Sequence, residues 1–181
     1  IMLGAAALAK PLFLMILGDQ WLPAVPLFQI LCLSGMFYPV HAFNINVLKV
    51  YGRSDLFLKL ELIKKAIITL SILIGFQFGI YGLVWSSVFT SLISLMVNTH
   101  YSSRMIQYTT LQQLGDIALT LVKAGLMGGV MWGITLVLHN NSQLLQLVLA
   151  GAAGVLFYFL LNYALRSPQL FFALDLIKKK N

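Results

Sequence analysis

The feature that most restricts this chain is its series of apolar runs, each about 18 residues or longer, separated only by short polar stretches. A run of that length, wound into a helix at about 1.5 Å per residue, crosses a hydrocarbon layer of roughly 30 Å. Only 9% of the residues are charged and 60% are hydrophobic, whereas an ordinary soluble domain has roughly 25% charged residues. So few charges cannot cover a surface that faces water, which excludes a soluble domain. The expected class is an all-α, polytopic membrane helix bundle of about six transmembrane helices.

The expected spans are 1–17, 24–48, 60–78, 80–98, 116–138 and 144–165. The uncharged run from Ala66 to Val97 is too long for one span, since its 32 residues would measure roughly 48 Å. The segment Phe78-Gly79-Ile80-Tyr81-Gly82 offers a turn that divides it into a tight hairpin with a short first arm. Polar stretches are expected from Lys49 to Lys65 and from Thr99 to Gly115. Residues 1–165 thus form the bundle and 166–181 a cytoplasmic amphipathic tail, in which Leu170, Phe171, Leu174 and Ile177 share a face ahead of three lysines. The chain opens inside an apolar run without the pattern of a secretory signal. That run reads as the remainder of a spanning helix, with the N-terminal half of a longer protein expected upstream. The lone Cys32 lies in an apolar helix and reads as a small buried residue.

Charge placement tests this topology, because Lys and Arg gather in cytoplasmic loops. Lys49, Arg53, Lys59, Lys64, Lys65, Arg104, Arg166, Lys178, Lys179 and Lys180 all fall on one side of the expected spans. The loops on the other side carry no Lys or Arg, and Trp21, Tyr81, Trp85 and Trp132 lie near that boundary as interfacial aromatics do. The C-terminus is thereby assigned to the cytoplasm. The net charge of +7 is spread over short loops instead of one soluble face, which argues against nucleic acid and for attraction to anionic membrane lipid.

Ionisable groups inside the bilayer are the first suspects for chemistry. Asp19, Asp55, Glu61, Asp116 and Asp175 all lie at or outside span ends, no two carboxylates are placed for acid/base work, and no His or Cys cluster has metal-ligand spacing. No active site, metal or cofactor is expected. Lys10, beside Pro11, either faces a water-filled cavity where it attracts an anionic group or snorkels outward, and Lys123 reads as snorkelling toward the cytoplasm. Ser34, Tyr38 and His41, with Asn44 at the edge, form a polar stripe where Pro39 interrupts the backbone ladder and frees the carbonyl near Gly35. That face either lines a transport path or bonds to a neighbouring helix. Ser87, Ser91, Ser94 and Asn98 repeat the pattern and read as packing. Gly125, Gly129 and Gly133, together with Ala150, Gly151 and Gly154, predict close approach of the last two spans. Asn140-Asn141-Ser142 matches the glycosylation pattern, but so near the bilayer it reads as coincidence.

The segments GDQWLPAVPLFQIL (Gly18 to Leu31), PVHAFNINVLK (Pro39 to Lys49) and above all LKVYGRSDLFLKLELIKK (Leu48 to Lys65) go further. They resemble the C-terminal half of bacterial lipid-linked oligosaccharide flippases. These are the polysaccharide transporters of the multidrug/oligosaccharidyl-lipid/polysaccharide export superfamily, which includes O-antigen and colanic acid exporters. The resemblance is strongest from Gly18 to about Asp116 and fades over the last two spans. It implies that the six helices are one lobe of a two-lobed, MATE-like transporter whose other lobe is the N-terminal half of the same protein. It further implies translocation of an undecaprenyl-diphosphate-linked oligosaccharide, with polysaccharide polymerase machinery as a partner. Arg53, Lys49, Lys64 and Lys65 would then stand at the cytoplasmic mouth to attract the diphosphate, with Lys10, His41 and Asn44 as further substrate contacts; positive-inside topology accounts for the loop cations without any ligand. A drug/cation antiporter of the same superfamily would need an intramembrane carboxylate, which this half lacks. A membrane enzyme of lipid-linked sugar metabolism would need acidic or His motifs in its loops, which are absent.

Overall fold

The computed structural model describes residues 1–106 and 108–167; the amphipathic tail expected after Pro168 lies outside them. The described residues are helical, with no strand among them: α1 Met2–Ala7, α2 Ala9–Ile16, a 3-10 turn Asp19–Ala24, α3 Val25–Gly35, α4 Tyr38–Val50, α5 Ser54–Phe76, α6 Gly79–Ile106, α7 Thr110–Val137 and α8 Gln143–Ala164. Four segments among them are long and apolar enough to cross a bilayer, namely Asp19–Val50, Gly79–Ser103, Leu111–Val137 and Gln143–Ala164. This is a helical membrane protein.

Side-chain distribution carries the same message. Large apolar side chains such as Phe76, Phe78 and Val137 cover the outside, while Asn44, Asn98, Thr99, Ser102 and Gln146 are buried between helices. In water that arrangement would be inverted; in hydrocarbon no hydrophobic force draws Leu inward, and polar groups find partners only inside the bundle.

Prolines set the breaks. The first apolar run is two short helices, because Pro11 cannot supply the N–H that would continue the ladder to Ala7. At this break the Gln29 side-chain amide crosses from α3 and donates to the Ala6 carbonyl at 3.0 Å. The second run was expected as one span over 24–48, its backbone ladder interrupted at Pro39. It divides at Met36 and Phe37, with Pro39 in the first turn of α4. Beside this break the Ser34 carbonyl accepts from the Ser91 hydroxyl of α6 at 3.1 Å as well as from the Phe37 N–H at 3.5 Å.

The stretches expected to be polar connections are mostly helix. Residues 51–53 alone separate α4 from α5, which begins at Ser54 instead of near Leu60. Lys59, Glu61, Lys64 and Lys65 are good helix formers and Asp55 favours the first turn, so charge did not end the helix. That start gives α5 23 residues and removes the short arm of the expected hairpin. Likewise α6 runs on to Ile106, with Thr99 and Ser102 buried against its neighbours. A capping box starts α7 at Thr110: the Thr109 hydroxyl accepts from the Gln112 N–H, and the Gln112 side chain accepts from the Thr109 N–H. The Ser142 hydroxyl caps α8 by accepting from the Leu145 N–H.

Packing orders the bundle. The α5–α6 hairpin turns at Gly79, whose φ of +68° suits glycine. Next to it the Gly75 and Gly82 backbones nearly touch, since a Cβ on Gly82 would stand 2.4 Å from the Gly75 carbonyl oxygen. In contrast, α3 and α4 both run parallel to α6, as the rungs Ser34–Ser91, His41–Asn98 and Asn44–Ser102 ascend together. The α7–α8 hairpin packs through Met127, Met131 and Ala150. The expected glycine seam is not what joins it: Gly125, Gly129, Gly133 and Gly151 meet nothing within 4 Å of a would-be Cβ, whereas Gly154 lies under the Met131 side chain. Thioether chains fill the interface that bare backbone was expected to form.

Candidate functional site

The helix order leaves a groove of about 630 Å³ between α3–α4, α5 and α6. One wall is polar, built from Ser34, Tyr38 and His41 on one side and Ser86, Ser87, Thr90, Ser91, Ser94 and Asn98 on α6. The apolar lining is Ile68 and Ile72 of α5 with Leu83 of α6, and Lys64 stands one helical turn from Ile68. The polar stripe of the second span therefore does both things open to it. Ser34, Tyr38 and His41 line the groove, while Ser34, His41 and Asn44 also bond to α6.

Those bonds form a seam. The Ser34 hydroxyl donates to the Ser87 carbonyl at 3.2 Å. His41 Nε2 meets the Ser91 hydroxyl at 3.4 Å, and its Nδ1 accepts from Asn98 Nδ2 at 3.2 Å. One turn further, the Ser102 hydroxyl donates to Asn44 Oδ1 at 2.9 Å. Asn44 and Asn98 are 1% and 2% exposed, yet Asn44 Nδ2 and Asn98 Oδ1 have no partner. Orphaned atoms this deeply buried are uncommon in folded proteins.

The expected mouth cations part company. Lys64 alone reaches the groove, held by an ion pair to Glu61 one turn earlier. Arg53 forms a bidentate pair with Asp55, both bonds 2.9 Å, and borders a second, smaller groove of about 420 Å³ with Tyr51, Leu56, Tyr101 and Met105. The Arg53 guanidinium holds the Asp55 carboxyl down to about 2, so this pair is intact at any physiological pH. The Lys49 ammonium lies over the Phe57 ring, 5.4 Å from its centre. Lys65 is exposed on α5 and Lys10 on α2, and neither borders either of these two grooves.

Lys123 was expected to snorkel into water. It does reach toward the expected cytoplasmic end of α7, but it is buried, 8% exposed, and donates to Ser167 Oγ at 2.7 Å and Asn162 Oδ1 at 3.3 Å. Its ammonium thus closes the C-terminal end of α8, where the helix dipole favours a cation.

Ser86 and Thr90 were missed in the sequence. With Ser94 they recur every four residues, so a four-residue hydroxyl period would have found this wall. Among the described residues no three of His, Cys, Asp and Glu come together. No family model, curated protein or solved structure matches the chain.

Proposed function

We propose that this chain is the C-terminal part of a flippase that moves undecaprenyl-diphosphate-linked oligosaccharide across the bacterial inner membrane for surface polysaccharide assembly. In this reading the α1–α2 pair and α5 also cross, giving six spans, and the C-terminus is cytoplasmic. The N-terminal lobe of the same protein would close the open side of the groove. One observation carries the reading: a single groove joins a wall of hydroxyl and amide groups, an apolar lining and one lysine. That combination suits an amphiphile whose sugars bond to hydroxyls, whose phosphate meets an ammonium and whose chain lies on aliphatic side chains. No carboxylate borders the groove among the described residues, which disfavours cation exchange there.

The test is to delete the full-length gene and to quantify lipid-linked repeats on the cytoplasmic leaflet alongside surface polymer. Accumulated repeats with lost polymer, both restored by the intact gene, are expected. Complementation with Lys64→Ala is expected to restore export about tenfold less well, the size of one charge-assisted bond to phosphate at ~1.5 kcal/mol. Lys65→Ala, which touches neither groove, is expected to restore it fully. An unchanged lipid-linked pool with altered drug sensitivity would instead favour an antiporter.

A further inference from the structure

His41 sits in the groove with both ring nitrogens engaged, and the directions of its bonds fix its tautomer. The Ser91 hydroxyl gives its hydrogen to the Ser34 carbonyl, so it can only accept from His41 Nε2–H. Nδ1 then carries the lone pair that accepts from Asn98 Nδ2, and the imidazole is neutral. The buried amide that serves it has its other atom, Oδ1, unpartnered.

An asparagine amide, like that of glutamine, presents a donor and an acceptor on opposite sides of a single rotatable bond. If a proton arrives at His41 Nδ1, the ring becomes a donor at both nitrogens. Asn98 Nδ2 can no longer bond to it, but half a turn of the amide brings Oδ1 to the same place as an acceptor. The two protonation states therefore need one residue in two orientations, each leaving one amide atom over. An orphaned Oδ1 is what the neutral state of such a pair would show. We propose that His41 is a proton-binding site within the α4–α6 seam and that the Asn98 amide turns over to serve both of its protonation states.

Few other ionisable groups surround the ring. From α5 the charged group that borders the same groove is Lys64, which is paired with Glu61 one turn earlier. On α4 itself Tyr38 lies one turn earlier. The faces of α3 and α6 offer Ser34, Ser87, Ser91, Ser94 and Asn98, none of which ionises. The groove also gives a proton a route to the ring without opening the helix packing.

The experiment is nitrogen NMR of the full-length protein in nanodiscs with labelled histidine, His41 being identified by the signal missing in His41→Gln. Between pH 8 and pH 5 the His41 ring signals are expected to move from the neutral pattern, protonated at Nε2, to the doubly protonated one. Asn98→Leu, which supplies no acceptor, is expected to weaken proton binding about tenfold, the size of one lost bond to a cation at ~1.5 kcal/mol. Asn98→Asp, which only accepts, is expected to strengthen it, and a folded protein in this second variant guards against a packing artefact in the first. A His41 signal that stays neutral to pH 5, or a midpoint that neither Asn98 variant moves, would overturn the proposal.

Discussion

Gly82→Ala is expected to open the α5–α6 hairpin and to destabilise the protein by ~3 kcal/mol. The added Cβ would stand 2.4 Å from the Gly75 carbonyl oxygen and 2.5 Å from Phe78 Cβ. Extra methyl groups in packed sites cost about 1–3 kcal/mol when side chains can shift. Here the first obstacle is backbone, so the whole of one helix must move and the upper end of that range applies. A loss of that size is a large part of the roughly 5–15 kcal/mol that holds a typical protein folded. Gly125→Ala is the reference, because no atom lies within 4 Å of its would-be Cβ; removing a helical glycine there is expected to add up to ~1 kcal/mol. Denaturation in mixed micelles of rising SDS fraction, followed by circular dichroism, compares the two. Equal midpoints would mean that α5 and α6 do not cross at Gly75 and Gly82.

The second large effect is expected at Lys123. Its ammonium has no carboxylate partner among the described residues, and it replaces its water with Ser167 Oγ, Asn162 Oδ1 and the negative end of the α8 dipole. That end is itself wound tightly: Arg166 adopts a φ of 47°, and the Ser167 N–H returns to the Asn162 carbonyl. Lys123→Met keeps most of the stem and removes the donor, leaving the buried Ser167 Oγ and the half-buried Asn162 Oδ1 short of a bond, at about 1–3 kcal/mol for a buried oxygen. A net destabilisation of ~2 kcal/mol is expected in the same SDS titration, with Lys123→Glu worse because it sets a negative charge against the carbonyl end. A Lys123→Met protein within ~0.5 kcal/mol of the parent would mean that the lysine is solvated and contributes no cap.

The apolar runs made the helices legible in the sequence, since the length needed to cross hydrocarbon leaves few alternatives. The break at Pro39 and the turn near Gly79 were legible for the same reason, each resting on a backbone property of one residue. Helix ends were harder to read. Lys59, Glu61, Thr99 and Ser102 are polar, and polarity marks the edge of a membrane, not the end of a helix, so α5 started early and α6 ended late. The polar stripe of the second span was visible as a period, but its partners on α6 depend on a parallel pairing of helices that no local signal encodes. The same holds for the cations: sequence places Arg53 and Lys64 in one basic stretch, while the structure pairs one with Asp55 and the other with Glu61 and sets them at different grooves. Glycine spacing misled at Gly125, Gly129 and Gly133, because a stripe of small residues marks a face without saying what covers it.

The interruption at Met36 and Phe37 bears on how this bundle can bend. At this joint the Ser34 carbonyl is shared between the Phe37 N–H of its own chain segment and the Ser91 hydroxyl of α6. A serine on a helix keeps a second acceptor in the carbonyls of its own preceding turn. Released from Ser34, Ser91 would rotate about one bond and remain satisfied, while the Ser34 carbonyl would keep the Phe37 N–H. The joint between α3 and α4 thus behaves as a detent, held shut by a bond that can be exchanged in place instead of broken.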